Sequence, residues 1–383
     1  MPTPTVQHQR RLDVIELDWG QPDPALLPVD LLRQMSAAAL DRFGPEALAY
    51  GPNAGPGPLL DWLRARLERA EGRPAAADEI MITAGASEAI DQLCALHTRP
   101  GDVALVESPT YHLAVRILRD HGLDLVPVPT DAAGLDVDAL RLRLAELRRA
   151  GRPPRLLYTI PTFHNPTGRN LSAERRRALV DLAAEAGCLI VEDDAYRELA
   201  YDGAAPPSLW SLAAPGTVAR VGSFAKTLAP GLRLGWITSA APIVDRLVNG
   251  GLRNSGGGLN HYTALTAAAL CDAGHYDPNL AHLRAEYRAR RDALLDALAE
   301  FMPAGTTWER PAGGFFVWVT LPAGLDAAEL LPRAQAAGVV YHPGARFCLD
   351  EAGRQALRLA FSYYDPAALV EGVRRLGRAV RGR

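Results

Sequence analysis

Through the middle of the chain, short apolar runs alternate with amphipathic stretches. Ile80–Thr83, Val103–Glu107, Leu125–Val128, Leu156–Ile160, Leu189–Glu192, Val218–Gly222 and Leu234–Thr238 are apolar over most of their length, the pattern of strands covered on both faces. Between several of them apolar side chains recur every three or four residues, as in 87–96, 111–121 and 173–186, which predicts helices. Strands separated by helices predict an α/β domain with a mainly parallel, seven-stranded sheet.

The flanks differ. Residues 1–24 read as an irregular arm, followed by helical spacing over 28–42, a loop over 47–55 and a second amphipathic helix over 57–70. Beyond residue 280 come a long arginine-rich helix (280–301), short strands at 314–320 and 357–361, and helices at 327–337 and 366–381. This divides the chain into an arm with part of a small domain (1–45), a large α/β domain (46–280) and a smaller C-terminal α+β domain (281–383).

Composition narrows the class. The chain has 383 residues, enough for more than one core, with 48% hydrophobic and 22% charged residues and a formal net charge of -3. That balance gives no general attraction to nucleic acid or to an anionic membrane. The N-terminus has no apolar core for a signal peptide and no run reaches membrane-spanning length, so a cytoplasmic location is expected. Cys94, Cys188, Cys271 and Cys348 are scattered in mostly apolar contexts and are expected to be free thiols, with no metal site.

Among 41 basic residues Lys226 is the only lysine. Arginine serves wherever a solvated positive charge suffices, so the one lysine is expected where an amine must lose its proton and act as nucleophile or base. Ser223 lies three residues before it and Arg233 seven after, with Pro230-Gly231 as a turn between. A hydroxyl and a guanidinium bracketing an amine suit a phosphorylated aldehyde, and pyridoxal phosphate (PLP) is the obvious one. Gly85 forms a turn between a strand and the helix that begins near Ser87, where free backbone amides suit a phosphate. Asp193 and Asp194 end a predicted strand, and a carboxylate there could keep a pyridine nitrogen protonated. Arg358 sits in the otherwise apolar Leu357-Arg358-Leu359-Ala360-Phe361, where a buried cation needs an anionic partner.

Ser223 to Trp236 resembles the cofactor-lysine segment of the class I/II aminotransferases, the fold-type I PLP enzymes. Further matches follow in the family's order from the arm to Phe361. The resemblance implies a fold-type I PLP-transferase-like structure in which Lys226 holds PLP as a Schiff base. It assigns the phosphate to Gly85, Ala86 and Ser87 with Ser223 and Arg233. The family's Asp-x-x-Tyr spacing picks Asp193 for the pyridine nitrogen and Tyr196 for the phenolate oxygen, which Asn165 of Asn165-Pro166-Thr167-Gly168 also approaches. Tyr111 matches the aromatic residue that stacks on the ring. Tyr50 matches a tyrosine that reaches the neighbouring subunit's phosphate, which implies a homodimer with the site at the interface. Arg358, with Asn165, is implied to grip the substrate α-carboxylate.

The implied reaction moves an amino group from an α-amino acid to a 2-oxo acid through pyridoxamine phosphate, with Lys226, Asp193 and Tyr196 catalytic. The same fold also serves eliminases, decarboxylases and carbon-carbon bond-forming synthases, and occurs fused to DNA-binding domains in regulators. Here no helix-turn-helix extension precedes residue 20, which speaks against a regulator. His164 is read as a polar loop residue. Arg253, beside Gly256-Gly257-Gly258, either approaches the site or faces solvent. Gly313-Gly314-Phe315-Phe316 is read as packing, and Glu88 is left out of the phosphate site.

Overall fold

The computed structural model describes residues 5–7 and 9–382; residues 1–4, 8 and 383 of the expected terminal units lie outside it. In chain order the strands are β1 Ile15–Glu16, β2 Ile80–Thr83, β3 Val103–Ser108, β4 Asp124–Asp131, β5 Gly134–Leu135, β6 Pro154–Thr159, β7 Leu189–Asp193, β8 Val218–Ser223 and β9 Gly235–Thr238. They continue with β10 Thr307–Trp308, β11 Phe316–Thr320, β12 Val339–Val340, β13 His342–Pro343 and β14 Ala356–Ala360. The helices used below are α1 Val29–Phe43, α2 Gly57–Glu71, α3 Ala86–His97, α4 His112–Asp120, α5 Val137–Arg149, α6 Ala173–Ala186 and α7 Gly251–Gly256.

The large sheet has eight strands, in the order β2-β9-β8-β7-β6-β3-β4-β5, rather than the expected seven. The additional strand is the two-residue β5, which turns back antiparallel on β4 and is too short to carry a pattern of its own. Pairings from β4 through β3, β6 and β7 to β8 are parallel; β9 runs antiparallel to both its neighbours, β8 and β2. The seven apolar runs all appear as strands.

Alternation along each strand divides the core between the two faces. Leu105, Leu157 and Ile190 belong to the cluster that packs with α2, α5 and α6, while Val106, Leu156, Tyr158 and Val191 pack with Ile90 and Leu93 of α3 and Leu118 of α4. Both faces are covered, so the strands read as continuous apolar runs. The C-terminal ends of β2, β3, β6, β7 and β8 therefore open onto one edge, the place where open α/β sheets bind ligands.

A second, antiparallel sheet has the order β10-β11-β14-β13. Its register sets Trp318, Arg358 and His342 side by side on neighbouring strands. The arm is stitched to this part of the chain: β1 pairs in parallel with β12, and Ala360 N donates to Leu17 O at 2.6 Å. No described helix is long and apolar enough to cross a membrane.

Candidate active site

Strand ends and turns deliver the side chains. Lys226 follows β8 and is half-buried, with its Nζ 3.2 Å from Gly20 O and 5.8 Å from the ring centres of both Tyr196 and Phe315. Burial pushes its amine down to about 8; Arg358 and Arg233 push the same way and Asp193 opposes them. Asp193 ends β7 and is 6% exposed. Burial raises its carboxyl to about 6, although Tyr158 donates to Oδ2 at 2.7 Å and Ala195 N to Oδ1 at 3.4 Å.

Tyr196 is buried against Phe315 and Phe316, and its hydroxyl bonds the side chain of Asn165, although burial holds its pKa well above the usual phenol value. Asn165 Oδ1 in turn accepts from Arg358 Nη1 at 2.9 Å. Arg358 is 3% exposed, and its other recorded hydrogen bond runs from Nη2 to Asp18 O at 2.6 Å. Among the described residues it makes no ion pair, and its buried Nε has no acceptor. Its guanidinium lies over Phe316 at 4.2 Å and Phe347 at 4.8 Å, and burial lowers its pKa to about 10. The Asp18 carboxylate attracts it only from beyond salt-bridge distance. A buried cation without an ion-pair partner is costly, and it is the arrangement expected of a carboxylate receptor.

At the end of β2, Gly85 has φ +93, a left-handed conformation that suits glycine, and leads into α3 at Ala86 and Ser87. A Cβ built on Gly85 would stand 2.8 Å from Arg233 Nη2, so the turn closes under that guanidinium only as glycine. Arg233 Nη2 also donates to Ala84 O at 3.0 Å. Ser223 Oγ accepts from Ala225 N at 3.1 Å, which shapes the turn before Lys226. Tyr111 caps α4; Asp193, Arg358 and Arg233 all bear electrostatically on its hydroxyl, and burial raises that group to about 12.

Lys226, Asp193, Tyr196, Asn165, Tyr111, Arg358 and the Gly85–Arg233 turn thus converge. Tyr50 does not join them: it is 87% exposed, on a segment tied to Gly258 through Gly51.

His164 departs from its sequence reading, Arg253 takes the first of its two, and Tyr158 had none. His164 is buried rather than a free polar loop residue, with Nε2 3.2 Å from Glu107 and Nδ1 2.8 Å from Thr167 Oγ1. Arg253 does not face solvent; it is 1% exposed on α7 and donates to Ile82 O at 3.0 Å. Its partner is Glu88, 3.5 Å away, whose Oε2 accepts from Ala84 N, so this pair braces the Gly85 turn from behind. Tyr158, inside an apolar strand, was not singled out at all.

A cavity of about 440 Å³ is lined by Phe224, Thr227, Arg66 and Tyr276 but not by Lys226. Its arginine Arg66 is already paired with Glu198 and Asp277.

Comparison with known proteins agrees with this geometry. The family model "Aminotransferase class I and II" matches residues 13–376. The aromatic-amino-acid aminotransferase 1 of Thermococcus litoralis is 35% identical over 96% of this chain and 88% of its own length. The crystal structure of a multiple substrate aminotransferase from Thermococcus profundus superposes with a TM-score of 0.92 at 35% identity, covering 97% of this chain and 92% of that one. The α-aminoadipate aminotransferase LysN from Thermus thermophilus, complexed with N-(5'-phosphopyridoxyl)-L-leucine, gives 0.87 at 34% identity over 97% and 93%. By the family match over most of its length and by these relatives, the chain belongs to the class I and II aminotransferases and is a fold-type I, PLP-dependent aminotransferase.

Proposed function

We propose that this aminotransferase takes aromatic and aliphatic α-amino acids as donors and 2-oxoglutarate as acceptor, with Lys226 as the cofactor lysine and Arg358 as the α-carboxylate receptor. The observation that carries the site reading is the meeting of a desolvated amine at Lys226 with a buried guanidinium at Arg358 that makes no ion pair among the described residues. The names of the relatives support the donor class, as do the rings of Phe316 and Phe347 around Arg358.

PLP suits the residues present. Its aldehyde needs an amine that is neutral near working pH, which Lys226 supplies. Its phosphate needs a cation and free amides, supplied by Arg233 and by the start of α3 at Ala86 and Ser87, with Gly85 leaving room and Ser223 nearby. Its pyridinium needs a carboxylate, and Asp193 is a buried one that acts electrostatically on Lys226. When bound, the cofactor supplies an electron sink for the substrate's α-carbon.

Everything else falls to the chain. Arg358 takes the carboxylate in a bidentate pair and Asn165 holds that arginine in place. Lys226 Nζ takes the proton from the substrate Cα and would return it across the nitrogen, at the carbon that the cofactor's aldehyde contributes, so that the amino group stays behind when the oxo acid leaves. Tyr196 and Asn165 set the basicity of the phenolate oxygen, and Tyr111 offers the stacking face. The arm, with the carbonyls of Asp18 and Gly20 at the site, excludes water. Residues 46–280 then form the cofactor-binding unit, with 1–45 and 281–383 closing over it.

Incubating PLP-loaded protein with single amino acids, without oxo acid, is expected to yield pyridoxamine phosphate and the matching 2-oxo acid by mass. Reaction with small dicarboxylic donors alone would overturn the donor assignment.

The exposure of Tyr50 supports a homodimer in which this phenol bonds the phosphate bound by the second copy. Tyr50→Phe is expected to weaken PLP binding about 10-fold. Sedimentation should give twice the 41.2 kDa of one chain, and a monomer mass would end the dimer reading.

A further inference from the structure

Tyr158 lies one residue before the C-terminal end of β6 and is 0% exposed. Its neighbours across the ladders are Val106 and Val191. Side-chain alternation turns it into the apolar layer beneath α3 and α4, among Met81, Leu93 and Leu118, where a phenylalanine would pack as well. The hydroxyl is therefore the feature to account for, because a buried phenol costs free energy unless it finds a partner. It finds Asp193 Oδ2 at 2.7 Å, and that is its recorded bond.

We infer that Tyr158 is a positioning residue of this aminotransferase, which acts through Asp193 by holding its negative charge on Oδ2 and leaving Oδ1 to face a protonated pyridine nitrogen. The inference rests on the reading of Asp193 as the pyridinium partner.

The oxygens of Asp193 are unequal. Oδ2 has a short bond from Tyr158, whereas the recorded contact of Oδ1 is a long one, 3.4 Å from Ala195 N. One proton is shared between the ring nitrogen and this carboxylate, and it can sit on either. A hydrogen bond from Tyr158 is stronger to a carboxylate than to a carboxylic acid, so it favours the charge-separated arrangement with the proton on nitrogen. No net proton is gained or lost.

The need for help is visible in the other groups around Asp193. Burial and the neighbouring Asp194 both favour a protonated Asp193, and Lys226 opposes them only while it is itself charged. Tyr158 and the Ala195 amide are the two donors that favour the carboxylate at every pH. A protonated nitrogen is what makes the ring an electron sink, so the phenol bears on turnover without touching substrate or cofactor.

The test uses holoenzyme reconstituted with PLP carrying ¹⁵N at the ring position. In Tyr158→Phe the ¹⁵N chemical shift is expected to move toward that of an unprotonated pyridine. kcat should fall about 10-fold with KM within about 2-fold, and the thermal midpoint should change little because the ring is retained. Asp193→Asn should move the shift fully, and adding Tyr158→Phe to it should cost no further turnover. A wild-type ¹⁵N shift and kcat in Tyr158→Phe, beside a displaced shift in Asp193→Asn, would overturn the role of Tyr158 alone. An undisplaced shift in Asp193→Asn would remove both readings.

Discussion

Lys226→Ala is expected to lower turnover about 10⁴-fold or more, because one amine both holds the cofactor and moves the proton at the substrate Cα. Lys226→Arg should fail as badly, since a guanidinium does not lose its proton in the working range. Steady-state turnover measures the loss, and borohydride reduction followed by peptide mass locates the cofactor on residue 226 in the parent protein. Turnover of Lys226→Arg within 10-fold of the parent would contradict the assignment.

The same residue fixes a pH dependence. Only the unprotonated amine condenses with an aldehyde, and desolvation lowers the Lys226 pKa from 10.5 to about 8. PLP uptake by the apoprotein should therefore rise with pH and level off with a midpoint near 8, whereas an ordinary lysine would give a midpoint near 10.5. Asp193 attracts the ammonium and raises the value. Asp193→Asn should therefore move the midpoint lower still.

Arg358→Met is expected to change activity and stability in opposite directions. The guanidinium is buried against neutral acceptors, Asn165 Oδ1 and Asp18 O, with Nε unpartnered. Removing a buried charge that makes no ion pair and feels the Asp18 carboxylate only from beyond salt-bridge distance relieves a desolvation cost, and methionine keeps apolar contact with Phe316 and Phe347. The apoprotein should therefore gain about 1 kcal/mol or more in denaturant unfolding. Meanwhile kcat/KM for amino acids should fall about 10³-fold, the scale of losing one partner of a buried charge pair. A destabilised variant with unchanged kcat/KM would show that Arg358 is structural.

What the residues announce depends on where their partners lie. The strands were legible because coverage on both faces makes each an apolar run, and Lys226 stood out because arginine had replaced every other lysine. Arg358 was legible as a charge inside such a run. The role of Tyr158 was not, since a phenol in an apolar strand looks the same whether or not its hydroxyl is engaged, and Asp193 is 35 residues away. His164 read as a loop polar and Arg253 stayed undecided between site and solvent, because their partners, Glu107 and Glu88, lie far along the chain. β5 has two residues and carries no period, and α5, not among the helices read, is crowded with arginines on its solvated side.

The bonds from Arg358 to Asp18 O and from Lys226 to Gly20 O span 340 and 206 residues. A chain emerging from the ribosome makes this arm hundreds of residues before Arg358, so the arm waits through that synthesis before its strand partner β12 and its site partners exist. Until then the apolar edge at Ile15 and Leu17, buried in the finished protein, has nothing to cover it. Substitutions in the arm should therefore be felt most in the yield of folded protein from the cell.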